Sequence, residues 1–83
     1  MTFERRLEQT KAVLSKLSRQ PMRWTLLLKA TIQVCGSPPR LHYILKFLKK
    51  NGFVKRVVVN KKLHWAITEK GEAFLNLLSE INT

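Results

Sequence analysis

Apolar residues recur at helical spacing in several segments of this chain. Phe3, Leu7, Thr10, Leu14 and Leu17 follow one another at intervals of 4, 3, 4 and 3, with Val13 at the flank and Glu4, Arg5, Lys11, Ser15 and Lys16 off the stripe. That pattern predicts an amphipathic helix over residues 3–18. It is shorter than the three or four heptads a coiled coil needs, so the helix is expected either to lie on the core or to contribute to a dimer seam. Arg19-Gln20-Pro21 interrupts it, since Pro21 turns Gln20 away from helical angles. Met22-Arg23-Trp24 could form a very short strand against a later hairpin. Thr25 is then a cap for a second, mostly buried helix over 26–35, with Leu27, Ala30, Thr31 and Val34 on one side and Lys29 and Gln33 on the other.

Gly36-Ser37 is a connection short enough to make the next helix cross this one, the arrangement of a helix-turn-helix. Ser37 caps a helix over 38–51 whose first residue is Pro38, where a missing N–H costs nothing. Leu41, Ile44, Leu45 and Leu48 form its apolar stripe, and Pro39, His42, Tyr43, Lys46 and Lys50 fall opposite. Phe47 lies between the two faces and is expected to pack against the hairpin. Asn51-Gly52 ends the helix with residues tolerant of a left-handed terminus. The Val-rich and aromatic stretch that follows predicts two strands, about 53–59 and 63–67, meeting around Asn60-Lys61-Lys62 in a turn without Gly. Leu63, Trp65 and Ile67 alternate in phase, which points Trp65 to the core rather than to a stacking role like that of aromatic platforms for single-stranded nucleic acid. Thr68 caps a last helix over 69–81, with Glu69 and Glu72 in its first turns, where the helix dipole favours them. Phe74, Leu77, Leu78 and Ile81 form its apolar face, with Leu75 on the boundary. The expected fold is α+β, mostly α, in a single domain spanning 1–83.

Charge changes this picture from a fold to a partner. The 83 residues carry 16 Lys and Arg against 5 acids, a formal net charge of +11, and all the acids are Glu. They are Glu4, Glu8, Glu69, Glu72 and Glu80, so no carboxylate occurs from Gln9 to Thr68, where 13 of the cations lie. A centre of one sign repels its own compact state unless a polyanion neutralises it, and phosphates that release condensed counterions do so with a gain in affinity. Nucleic acid is the expected partner on charge alone. An acidic membrane surface and charge kept for solubility alone are the plainer alternatives.

Other classes find little support. Cys35 is the one cysteine, so no internal disulfide can form, and it reads as a small buried residue. With His42 and His64 it makes no recognisable zinc spacing. Five Glu confined to the end helices, two His without acidic neighbours and three isolated Gly give no acid–base pair and no phosphate loop, so neither an enzyme nor a cofactor is expected. There is no apolar run near membrane-spanning length and no signal-peptide pattern, and the expected setting is intracellular, cytoplasmic or nucleoid-associated.

Two segments carry a resemblance. LHYILKFLKKNGFV, residues 41–54, resembles the winged helix-turn-helix signature in which the recognition helix ends in a polar-Gly pair and runs into the wing. LHWAITEKGEAFL, residues 63–75, resembles the segment in which the second wing strand enters the final helix in small MarR-type and PadR-type regulators and in compact archaeal and archaeal-virus DNA-binding proteins. The similarity covers about residues 22–81. It implies a winged helix with the order helix, optional strand, helix, helix, hairpin, helix, acting as a transcriptional regulator and as a homodimer held by the terminal helices.

The resemblance implies that the helix from 38 to 51 enters the major groove and that the hairpin touches backbone or minor groove. The DNA-facing set is then Ser37, Pro39, Arg40, His42, Tyr43, Lys46, Lys49 and Lys50 from the cap and helix, with Lys55, Arg56, Asn60, Lys61 and Lys62 from the wing. Arg40 could read a guanine bidentately or clamp a phosphate. His42 and Tyr43 could touch bases or backbone, or pack under the wing. Lys46, Lys49 and Lys50 suit phosphates. Pro38-Pro39 departs from the small polar residues usual at this position and removes two N–H groups that could have bound a phosphate. A role without sequence preference on DNA or RNA, and a winged-helix adaptor for an acidic protein, are the alternative functions.

Overall fold

The structure, a computed structural model, describes the backbone of residues 3–81 and the side chains of residues 6–80. Phe3, Glu4 and Arg5 of the expected first helix and Ile81 of the last lie outside the described side chains. The element order is α1 (Phe3–Arg19), α2 (Trp24–Cys35), α3 (Pro38–Lys50), β1 (Val54–Val59), β2 (Lys62–Ile67) and α4 (Glu69–Ile81). Among the described residues no helix is long and apolar enough to cross a membrane.

The core is built where the helices meet. Val13, Leu14 and Leu17 of α1, Leu27 of α2, Leu41, Leu45 and Leu48 of α3, and Leu78 of α4 are fully or almost fully buried. Each such side chain contributes about 1.5–3 kcal/mol relative to exposure. The α3 stripe is therefore as expected, but three other faces are turned. In α1 the inward set includes Gln9, one turn before Val13, while Thr10 is only half-buried. In α2, Leu27, Thr31 and Cys35 face inward and Ala30 and Val34 are exposed, because α1 and α3 both pack along that narrower stripe. In α4, Gly71 and Leu78 are buried with Phe74 and Leu75 beside them, and Leu77 is exposed.

Helix ends follow local chemistry. α2 starts at Trp24 with Arg23 at its cap position and no side-chain cap, earlier than the expected start at 26, so Thr25 lies inside the helix. It stops at Gly36, whose φ of 89° places it in the left-handed region and lets its N–H reach Ile32 O at 2.7 Å. α3 starts as predicted, with the Ser37 hydroxyl accepting from Arg40 N. Its end is a Schellman motif, in which Gly52 N donates to Lys49 O at 3.1 Å and Phe53 N donates to Leu48 O at 2.9 Å, with Gly52 left-handed at φ 77°. Asn51 itself is not left-handed; its side-chain amide donates to Phe47 O at 2.8 Å.

β1 and β2 pair antiparallel with Val54 opposite Ile67 and Val59 opposite Lys62, leaving a two-residue turn at Asn60-Lys61. Both turn residues have positive φ, 52° and 66°, the signature of a type I′ turn made without Gly. The turn is one residue shorter than the sequence suggests, and Lys62 belongs to β2. Trp65 and Ile67 pack on the core, but Leu63 and its partner Val58 are exposed, because the hairpin runs beyond the helices before it turns. The short strand at Met22 is a single bridge to Trp65, with hydrogen bonds of 2.9 and 2.7 Å.

The hairpin is tied to α3 and α4 at one joint. Thr68 caps α4 by accepting from Gly71 N at 3.0 Å, and its own hydroxyl donates to Gly52 O at 2.6 Å. Gly71 allows this closeness, since a Cβ there would run into the Phe53 carbonyl oxygen and the Ile67 side chain. Phe53 stacks on Phe74 with centroids 4.3 Å apart, and the Lys70 ammonium lies 5.2 Å from the Phe53 ring centroid. At the other end of α4's first turns, the Ser18 hydroxyl of α1 donates to the Glu72 carboxylate at 3.0 Å.

Candidate nucleic-acid interface

The first turn of α3 decides what kind of contact this helix can offer. Pro38 and Pro39 have no N–H, Arg40 N is directed at the Ser37 hydroxyl at 3.4 Å, and Leu41 N donates to Ser37 O at 3.2 Å. From Pro38 to Leu41, then, no backbone donor is left over for a phosphate, so docking by these positions depends on side chains. Along the rest of α3 the side opposite the buried Leu stripe is wet: Pro39, His42, Tyr43, Lys46, Lys49 and Lys50 are all exposed. His42 also meets Trp24 edge-on, with ring centroids 6.2 Å apart, so it is steadied against α2 while remaining accessible.

Arg40 is half-buried, and its guanidinium sits 5.8 Å from the Tyr43 ring centroid. That contact, roughly 0.5–1 kcal/mol at an exposed site, holds a flexible side chain near one orientation. On the wing, Lys55, Arg56, Asn60, Lys61 and Lys62 are all exposed. Arg56 stands over its cross-strand neighbour Trp65 at 5.2 Å, and His64 Nδ1 is 2.9 Å from Lys62 O.

Phe47 departs from expectation. It is 47% exposed rather than packed against the hairpin, because the α3 flank it occupies, shared with Arg40, looks toward α1. A cavity of about 140 Å³ lies there between α1, α3 and α4, lined among others by Arg6, Gln9, Arg40, Tyr43, Phe47 and Phe74. The Arg6 guanidinium reaches Tyr43 Oη at 3.4 Å. Gln9 is 2% exposed; its amide nitrogen donates to Val34 O at 3.1 Å, and its Oε1 is buried without a donor. An unmade bond of this kind costs about 1–3 kcal/mol. Sequence reasoning did not place Arg6, Gln9 and Phe74 together at one cavity. The one signal was Gln9 itself, a polar residue a single turn from Val13.

Cys35 is buried at the end of α2. Burial pushes its thiol pKa up, while the neighbouring Thr31 hydroxyl and the Arg40 charge pull it the other way. The thiol form is thereby favoured and the nucleophilic thiolate disfavoured. Among the described residues no cluster of His, Cys, Asp or Glu could hold a metal ion.

No protein-family model and no curated protein sequence matches the chain. Solved structures do. The reduced form of the transcriptional regulator YodB from B. subtilis aligns at 28% identity and a TM-score of 0.73, over 88% of this chain and 72% of that one. TA0346 of Thermoplasma acidophilum, a candidate transcriptional regulator, aligns at 27% identity and a TM-score of 0.62, over 82% of this chain and 71% of that one. The MarR family transcriptional regulator SPO1453 of Silicibacter pomeroyi DSS-3 aligns at 18% identity and a TM-score of 0.66; this chain is covered over 92% of its length and spans 53% of that protein. Element order, hairpin register and these likenesses together make the fold a winged helix-turn-helix, with α2 and α3 as the helix pair and β1–β2 as the wing.

Proposed function

We propose that this protein is a transcriptional regulator that binds double-stranded DNA, with α3 in the major groove and the β1–β2 wing on the backbone or minor groove. The observation that carries the reading is the wet side of α3, where Lys46, Lys49 and Lys50 stand exposed beside Tyr43 and His42, in a chain without a carboxylate from Gln9 to Thr68. Two structurally similar chains above 25% identity, one named a transcriptional regulator and one a candidate, support the same role. Phosphates are held by Lys46, Lys49, Lys50, Lys55, Arg56, Lys61 and Lys62, with Ser37, Pro39 and Asn60 setting the approach. Arg40, His42 and Tyr43 supply sequence preference.

A homodimer formed by α1 and α4 completes the reading. It is supported by Leu77, 57% exposed on α4 while its neighbour Leu78 is buried. The kinship we favour is with MarR-type regulators, and the working place is the cytoplasm or the nucleoid. Duplex DNA binding measured against salt tests the function. The logarithm of affinity should fall with the logarithm of salt by about 0.9 for each phosphate engaged. A flat response, or no binding at low salt, would favour an adaptor instead.

A further inference from the structure

We infer that Val58 and Leu63, near the end of the β1–β2 wing, form an apolar wedge that enters the minor groove of a DNA duplex, parts one base step and kinks the helix there. The inference deepens the proposed function and rests on it. Val58 and Leu63 stand directly opposite each other in the antiparallel register, one position back from the Val59–Lys62 pair that closes the turn. In a hairpin with a two-residue turn the closing pair exchanges hydrogen bonds, so the next pair is of the closer kind, whose side chains touch. Both are open to solvent, at 68% and 54%, and Val58 is the most exposed large apolar side chain among the described residues. The core gains almost nothing from them.

Charge on either side of the pair selects what it meets. Side chains two apart on a strand share a face, so Arg56 and Trp65 come next to the pair toward the core, with the exposed guanidinium 5.2 Å from the indole ring centroid. Beyond the pair comes the tight turn, where Asn60 and Lys61 are both exposed. Arg56 is two residues from Val58, about 7 Å along the strand, which is close to the ~6 Å width of the minor groove. A cation before and a cation after an apolar pair match the two phosphate rims of that groove, with the base edges between them. An acidic membrane would call for a broader apolar face than two side chains.

Insertion carries a sequence preference of its own. Apolar wedges partly unstack a base step and bend the duplex toward the major groove by roughly 20–90°. Pyrimidine–purine steps such as TA yield most easily, whereas A-tracts are stiff. Val58 and Leu63 therefore select sites by deformability, at a position where no hydrogen bond reads a base.

The test uses the full chain and duplexes of about 30 base pairs labelled at both ends for energy transfer, one rich in TA steps with 2-aminopurine at those steps, the other built of A-tracts. Binding to the TA-rich duplex should raise energy transfer and 2-aminopurine emission, and should be about tenfold tighter than binding to the A-tracts. Val58→Thr combined with Leu63→Thr keeps strand-forming shapes and every cation, so it should abolish the bend, the emission gain and the preference while the salt slope stays. Leu63→Met should retain all three. A duplex that is bound with the full salt slope but stays straight and stacked, or that bends alike with the double substitution, overturns the wedge and leaves the DNA-binding reading standing; no duplex binding at low salt overturns both. The wedge also falls if the double substitution leaves duplex binding unchanged but weakens binding to phosphatidylserine vesicles, which would assign the pair to a membrane, or lowers the molar mass in light scattering, which would assign it to a second copy of the chain.

Discussion

Thr68 donates its hydroxyl to the carbonyl oxygen of Gly52 at 2.6 Å, and in doing so joins the end of the α3 cap to the start of α4. The Thr68 hydroxyl oxygen in turn accepts from Gly71 N at 3.0 Å, so one side chain both caps a helix and fixes the root of the wing.

Removing that hydroxyl should therefore cost more than an ordinary cap. Thr68→Val keeps the shape but loses both bonds, and we expect a loss of about 1–2 kcal/mol in thermal or urea unfolding, against less than about 0.5 kcal/mol for Thr68→Ser. Equal stability of the two variants would mean that the joint is held by packing of Phe53 on Phe74 instead.

Lys61 occupies the left-handed region at φ 66°, where a residue with a Cβ is disfavoured by about 1–2 kcal/mol. Lys61→Gly should relieve this and, after the added freedom of the unfolded chain, raise stability by about 0.5–1 kcal/mol. Under the proposed function the same change should weaken every duplex alike and lower the salt slope by about 0.9. Urea unfolding and fluorescence anisotropy read the two effects separately, and a loss of stability would show that the Lys side chain is engaged within the wing.

Arg40, held over Tyr43, should read sequence where the α3 lysines do not. Arg40→Ala is expected to remove preference at one base pair, worth about 1–3 kcal/mol, while Lys46→Ala weakens all sequences uniformly. Tyr43→Ala should mimic Arg40→Ala in part, by freeing the guanidinium. Losses from Arg40→Ala that are the same on every sequence would make it a phosphate clamp.

Cys35 gives a pH dependence. Burial raises its pKa in the folded chain, so as pH rises the unfolded chain loses its thiol proton first. Stability is then complete below the ordinary thiol range and declines through and above it. Cys35→Ala should flatten this part of the alkaline decline in urea unfolding between neutral pH and pH 10, and the native thiol should resist alkylation until denaturant is added. Rapid alkylation of the folded protein would contradict the burial argument.

What was legible in the sequence was whatever local chemistry decides. The Leu41, Ile44, Leu45, Leu48 stripe, the Ser37 and Thr68 caps and the glycine exit from α3 are written into neighbouring residues, and the structure has them all. Which flank of a stripe turns inward depends instead on the angle at which a partner crosses it. That is why Gln9 is buried and Val34, Phe47 and Leu77 are not, and why Leu63, in phase with Trp65, hangs past the end of the core. The cavity was invisible for the same reason, since Arg6 and Phe47 meet only through the packing of α1 against α3. The exposed lysines and arginines of helix and wing were easier to foresee, because charge is rarely buried unpaired.

Two prolines at the head of α3 have one more effect. A helix that greets a duplex with amides grips it through rigid, short arms that allow one seating; this one has only long, jointed arms at that end. Under the proposed function its hold should be forgiving of small displacements along the groove, so that the protein shuffles between adjacent seatings readily and owes any fixed address to the side chains proposed to read bases.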